Sequence, residues 1–279
     1  MNKKSRQKKI AVINDMSGYG RCSLTVLLPV ISAMGIQVCP VPTGIFSNHT
    51  GYDDYAKKDL SKFMPEYFKK WKKLDLKFDG IYIGYLTSSS QINMIKKFIK
   101  DFSNNDTVVI LDPVMGDEGR LYSGYKKSTA NALKELLKHA DIITPNATEC
   151  AFLSDIEYKD KRTETEWADI ASGLCKRGPS RVVITGINLG SMIGNMCFEK
   201  KGKTERATII RKKIAGKSRP GTGDLFSGII AADAVLKNDF ISSVKKASDF
   251  TAKCIAKSDE LNIPVNDGVC FEEFMDIRL

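Results

Sequence analysis

The chain has 279 residues, 42% of them hydrophobic and 27% charged, a balance that fits a folded globular protein and excludes a disordered one. No apolar run reaches the ~18 residues needed to cross a bilayer. The apolar stretch from Ile10 to Asn14 is too short for a secretory signal, so a cytoplasmic protein without membrane contact is expected. Of the formal charge of +10, half comes from Lys3, Lys4, Arg6, Lys8 and Lys9, in a segment 1–9 expected to be a basic flexible tail. Lys69, Lys70, Lys72 and Lys73 fall on an amphipathic helical stretch and are expected on its solvated face. The charge therefore suits anionic substrates, and no nucleic-acid partner is expected.

Strand-like and helical patterns alternate along the chain. Ile10 to Asn14 predicts a first strand, Ser23 to Met34 a helix, and Gln37 to Pro42 a second strand. Gly80 to Tyr85 and Thr107 to Asp112 predict strands around a helix at Ser90 to Phe102. Helices at Lys126 to His139 and Glu164 to Lys176 bracket a short strand at Asp141 to Thr144, and Arg181 to Gly186 follows as a strand. Ser191 to Glu199 and Glu205 to Lys213 predict a hairpin about the turn Lys200 to Lys203. Two helices close the chain, Asp224 to Lys237 and Phe240 to Lys257. Such alternation implies an α/β fold, a mostly parallel sheet with helices on both faces. No repeat or linker divides it, so one domain over 1–279 is expected. The seven scattered cysteines form no CxxC pair and predict reduced thiols.

In open parallel sheets ligands bind beyond the carboxyl ends of the strands. Those ends carry Asn14-Asp15, Thr43 to Gly51, Gly84-Tyr85, Asp112-Pro113, Thr144 to Glu149 and Thr185-Gly186. The most informative segment is Arg219 to Gly228, RPGTGDLFSG, where glycines lead directly into a helix. Backbone N–H groups at such a junction face an anion, and the helix N-terminus favours negative charge. Asp224 there reads either as a stabilising first-turn acid or as a base that takes a proton from an attacking hydroxyl.

Gly221-Thr222-Gly223-Asp224 resembles the catalytic signature of the ribokinase superfamily. Asp112 to Asp117 (DPVMGD) and Thr144 to Glu149 (TPNATE) resemble segments of its vitamin-kinase branch, and Phe46 to Tyr52 (FSNHTGY) is similar to a block of pyridoxal kinases. The blocks stand in the family's order and, with Asp15 to Gly20, cover nearly the whole chain. The resemblance implies a ribokinase-like three-layer sandwich and ATP-dependent transfer of phosphate to the 5′-hydroxymethyl group of a B6 vitamer (pyridoxal, pyridoxamine or pyridoxine). It implies Asp224 as base, with the amides of Gly221, Thr222 and Gly223 holding the phosphoryl group. Asp117 and Glu149 would position Mg²⁺, Asn146 would contact the nucleotide phosphates, and Asp112, Thr144 and Thr185, followed by Gly186, would surround a monovalent cation such as K⁺ and the nucleotide. Asp15 and Ser17 would face the pyridine ring, Phe46 and Tyr85 would stack on it, and Asn48, His49 and Thr50 would supply polar contacts. A homodimer is implied as well.

Two departures qualify the substrate. Asp15-Met16-Ser17-Gly18-Tyr19-Gly20 is closer to the DxSGGxG segment of hydroxymethylpyrimidine kinases, where many pyridoxal kinases have a serine. Gly116 to Tyr125 is short for the flap of animal members. The alternatives carried forward are a hydroxymethylpyrimidine kinase and a non-catalytic nucleotide- or B6-binding regulator. The half-match Gly18 to Ser23 to a dinucleotide-binding loop lacks its third glycine and the ribose-binding acid.

Overall fold

The computed structural model describes residues 7–275. The segment expected as a tail lies outside that range as far as residue 6, but Lys8 and Lys9 do not belong to it. Lys9 opens the first strand and donates its N–H to Asp79 Oδ2 at 2.9 Å, while Lys8 Nζ bonds Asp79 Oδ1 at 3.0 Å. Two charge-assisted contacts to one acid tie the chain down two residues earlier than its composition suggests.

The elements run β1 (Lys9–Tyr19), α1 (Leu24–Ala33), β2 (Gln37–Asn48), β3 (Lys57–Asp59), α2 (Met64–Lys73), β4 (Gly80–Ile83), α3 (Ser89–Phe102) and β5 (Val108–Leu111). There follow β6 (Gly116–Asp117), β7 (Arg120–Leu121), α4 (Lys127–Leu133), β8 (Ile142–Ile143), α5 (Ala147–Ser154) and α6 (Glu164–Cys175). The chain closes with β9 (Arg181–Asn188), β10 (Met192–Lys201), β11 (Thr204–Lys213), α7 (Thr222–Val235) and α8 (Phe240–Glu260). Among the described residues, nine strands join one sheet in the order β11-β10-β9-β8-β5-β4-β1-β2-β3. The pairs from β9 to β2 are parallel, and β10, β11 and β3 are antiparallel additions at the two edges. The expected hairpin is β10–β11, longer than anticipated because pairing continues to Lys201↔Thr204.

Both faces of the central strands are apolar, and alternate residues serve different layers. Ile10 and Val12 pack with α1, α7 and α8, whereas Ala11 and Ile13 pack with α2 to α6. This two-sided demand for apolar side chains is what made the strands read as continuous hydrophobic runs. The lysines of α2 lie on its exposed side, and all seven cysteines are free.

The first two strands extend well past their apolar runs. β1 continues to Tyr19 and β2 to Asn48, with a register shift between Asn14 and Met16. Such irregularities re-aim side chains, and here consecutive residues Asn14 and Asp15 are both buried. Pro40 and Pro42 are tolerated in β2 because their pairing to β1 leaves the other edge free until Gly44, where β3 begins to pair. The segment expected as a single helix from Lys126 to His139 is α4 followed by a 3₁₀ helix, Lys134–His139. No helix among the described residues is long and apolar enough to cross a membrane.

Candidate active site

The carboxyl ends of β1, β4, β5, β8 and β9 lie along one edge of the sheet, and the first turn of α7 meets them there. Gly221 caps α7 with φ +80°, a left-handed conformation that suits glycine. A Cβ at Gly221 would also stand 2.0 Å from the carbonyl oxygen of Arg21. Thr222 Oγ1 turns back to the Arg219 carbonyl at 2.9 Å, and Gly223 is exposed with open space where a Cβ would be. The start of α7 thus presents backbone rather than side chains to whatever occupies the cleft.

Asp224 sits in this first turn with both carboxylate oxygens engaged. Oδ2 accepts the backbone N–H of Ser23 at 2.7 Å and Oδ1 accepts Nδ2 of Asn14 at 3.2 Å. Burial outweighs those bonds, and with Asp112 and Asp15 nearby the carboxyl pKa rises to about 7. Neither bonding group is an acid or a cation, so the carboxylate is aimed without being neutralised. That is the arrangement a general base requires.

Asn14 extends the cluster. Its Oδ1 accepts the N–H of Asp15 and that of Tyr85, each at 2.9 Å. Asp15 in turn accepts the hydroxyls of Ser23 at 2.6 Å and Ser17 at 3.0 Å, and its pKa is raised chiefly by burial. Beside Tyr85 stands an aromatic wall. Phe46 meets Tyr85 edge-on at 6.2 Å and Tyr55 at 6.0 Å, and Tyr85 meets Tyr125 at 5.6 Å. Phe46 is buried and Tyr85 half-buried, so the rings serve as packing and as a flat apolar surface together.

The remaining residues of the Phe46 to Tyr52 block are held by protein partners. Gly51 N–H donates to His49 Nδ1 at 3.1 Å, which leaves the proton on Nε2 to donate to the Asn266 carbonyl at 2.7 Å. Asn48 accepts the Ser47 hydroxyl and donates to the Asp54 carbonyl. Both ring nitrogens of His49 are thus occupied within the chain. Thr50 is half-buried at the start of the following turn.

On the acidic side, Asn146 and Glu149 form a reciprocal capping box that begins α5. The Asn146 side chain accepts Glu149 N–H at 2.9 Å, and Glu149 Oε2 accepts Asn146 N–H at 2.8 Å. The same two residues reach the DPVMGD segment, since Asn146 Nδ2 donates to the Gly116 carbonyl and Glu149 Oε1 accepts Met115 N–H. Burial and the neighbouring Asp112 and Asp117 hold the Glu149 pKa well above the usual carboxylate range. Asp112 accepts the hydroxyls of Thr144 and Tyr82, Ser227 Oγ lies 3.0 Å from the same carboxylate, and burial pushes its pKa up as well. Asp117 is exposed on β6, which turns through Glu118 and Gly119, both at positive φ, into β7. Thr185 joins the site through its backbone, donating to the Pro145 carbonyl at 2.9 Å, and Gly186 takes φ +68°. Among the described residues no three His, Cys, Asp or Glu side chains are grouped to ligate a metal by themselves. Three mutually repelling, oxygen-bearing acids nevertheless fit a hard cation that keeps part of its ligand shell from water and phosphate.

Sequence reading missed four participants. Ser23 acts through its backbone N–H, which no residue type encodes, and Asn14 was visible only as a polar strand end. Tyr82 and Ser227 read as ordinary strand and helix residues.

A three-layer sandwich with a glycine-led helix start facing acidic strand ends defines a small-molecule kinase of ribokinase-like fold. The chain belongs to the phosphomethylpyrimidine kinase family, whose model matches residues 28–268. A Bacteroides thetaiotaomicron protein classed with the phosphomethylpyrimidine kinases has the same fold, with TM-score 0.93, 34% identity, and coverage of 100% of this chain and 98% of that one. A second crystal form of it, holding pyridoxal, gives TM-score 0.88 at 35% identity over 97% and 94% of the two chains. Among curated relatives, the Arabidopsis thaliana pyridoxal kinase is 28% identical over 81% of this chain and 72% of its own. The hydroxymethylpyrimidine/phosphomethylpyrimidine kinase of Aquifex aeolicus is 27% identical over 87% and 85%.

Proposed function

We propose that the protein is an ATP-dependent B6-vitamer kinase that phosphorylates the 5′-hydroxymethyl group of pyridoxal, pyridoxamine or pyridoxine. The observation that carries this is Asp224, an aimed carboxylate with pKa about 7 at the start of α7, two hydrogen bonds from the Phe46–Tyr85 wall through Asn14. The hydroxymethyl oxygen attacks the γ-phosphorus while Asp224 takes its proton, and ADP leaves with the bridging oxygen. The amides of Gly221, Thr222 and Gly223 hold the transferring group. Asp117 and Glu149 would hold Mg²⁺, which supplies charge neutralisation to the phosphates when bound. Asp112, Thr144 and Thr185 are the corresponding candidates for a monovalent cation, and Asn146 and Gly186 for nucleotide contact. Asp15 and Ser17 line the ring side.

Pyridoxal in the Bacteroides relative and the FSNHTGY block support the B6 reading. Hydroxymethylpyrimidine kinase is the second reading, supported by the family match and by Asp15 in its DxSG context. A single kinase domain, a homodimer and a cytoplasmic location complete the proposal. The test is ATP turnover against the three vitamers and hydroxymethylpyrimidine, with Asp224→Asn alongside. Preference for hydroxymethylpyrimidine overturns the B6 assignment, and near-wild-type turnover by a folded Asp224→Asn overturns the base.

A further inference from the structure

Beneath the start of α7 lies a cluster of oxygen atoms in which Tyr82 and Ser227 have no role in the phosphoryl-transfer chemistry above. Tyr82, in β4, is wholly buried on the α7 side of the sheet. Its hydroxyl lies 2.8 Å from Ser227 Oγ and 2.9 Å from Asp112 Oδ2. Ser227 Oγ is 3.0 Å from that same carboxylate oxygen and 2.7 Å from the Gly223 carbonyl. Thr144 completes the set by donating to Asp112 Oδ1 at 2.9 Å. Four parts of the fold, β4, the ends of β5 and β8 and the second turn of α7, therefore meet at one carboxylate.

Ser227 follows Asp224 by three positions and shares its side of the helix. The Gly223 carbonyl belongs to the same peptide group as the Asp224 N–H, so a hydrogen bond to that carbonyl polarises an amide at the helix start. Tyr82 and Ser227 bring two hydroxyl protons to acceptors on both the helix and the acidic strand end. We propose that Tyr82 and Ser227 are positioning residues for phosphoryl transfer, locking the first turn of α7, with Asp224 and the loop amides, to Asp112 at the end of β5. This rests on the kinase reading above. If the cluster served only to satisfy a buried carboxylate, its loss would lower stability without a selective effect on the chemical step.

Ser227→Ala, Ser227→Thr and Tyr82→Phe separate the two. Misplacement of reacting groups by about an ångström costs up to about 100-fold in rate. Ser227→Ala is expected to lower kcat about 10- to 100-fold with KM for the acceptor within about twofold. Tyr82→Phe should lower kcat in the same direction, and Ser227→Thr, which keeps the hydroxyl, should restore most of the loss. Amide exchange over residues 223–227, measured without substrate, should accelerate in Ser227→Ala and not in Ser227→Thr. Unchanged kcat in folded Ser227→Ala and Tyr82→Phe, unchanged exchange, or failure of threonine to restore overturns the proposal. If the wild type phosphorylates none of the acceptors, the kinase reading fails, while the exchange comparison still decides whether the lock exists.

Discussion

The backbone N–H of Ser23 lies 2.7 Å from Oδ2 of Asp224, across 201 positions of sequence. Ser23 reaches it with φ +56° and ψ −135°, a backbone conformation that disfavours any residue with a side chain. The same residue sends its hydroxyl to Asp15 Oδ1 at 2.6 Å. One strained serine thus joins Asp224 at the start of α7 to the acid after β1, and the surrounding contacts must sustain the strain.

Replacing Ser23 distinguishes strain from bonding. Both Ser23→Ala and Ser23→Gly lose the hydroxyl bond to Asp15 and keep the N–H to Asp224. Glycine also relieves the positive φ, so Ser23→Gly should be more stable than Ser23→Ala by about 1 kcal/mol in denaturant titration. Equal stabilities would mean that the Ser23 backbone relaxes in solution.

Gly221→Ala should be severely destabilising. A methyl group there would collide with the Arg21 carbonyl at 2.0 Å and meet φ +80° at once. A loss of about 3 kcal/mol or more is expected, read as a lower denaturation midpoint together with loss of turnover. A folded, active Gly221→Ala would refute this packing of the loop on the segment before α1.

The stability of Asp224→Asn relative to wild type should depend on pH. The Asp224 carboxyl has its pKa raised from 3.8 to about 7, so the folded state holds the proton more tightly than the unfolded chain. That contribution is fully present below about pH 4 and is lost as pH rises through 7. Asp224→Asn, which does not titrate, should match wild type near pH 4 and exceed it by about 1–2 kcal/mol at pH 8, after allowance for the partial exposure of the group. The kcat of the wild type should rise over the same interval as the base ionises. A stability difference that is flat from pH 4 to 8 would contradict the raised pKa.

Asn146→Ala removes a helix cap and the link to Gly116 together. Cap loss costs about 1 kcal/mol. The resulting mobility of the DPVMGD segment should raise KM for the nucleotide. Thermal unfolding and nucleotide titration of the variant test the two parts, and an unchanged KM would confine Asn146 to the capping role.

Asp15→Ser tests the substrate side. An acid at this place is proposed to favour a protonated ring nitrogen or an amine-bearing vitamer such as pyridoxamine. The variant should shift relative kcat/KM away from pyridoxamine. Equal efficiencies of wild type and variant on all three vitamers would sink the idea.

The layer plan was legible in the residue pattern, because strands buried on both faces must be apolar throughout and helices between them must have one apolar side. The same pattern also located Asp224, Asp112, Asn146 and Glu149, since glycines before a helix and polar residues after a strand are local signals. Extension of β1 to Tyr19 and of β2 to Asn48 was hidden, because pairing beyond Asn14 depends on register between strands, not on hydrophobicity. The double use of Asn146 and Glu149 as a helix cap was equally hidden behind their motif. The aim of Asp224 arises only on folding, for its partners are an amide proton at Ser23 and a side chain at Asn14. Backbone donors carry no residue identity, and contacts 201 and 210 positions apart exist only once the sheet and α7 have packed together.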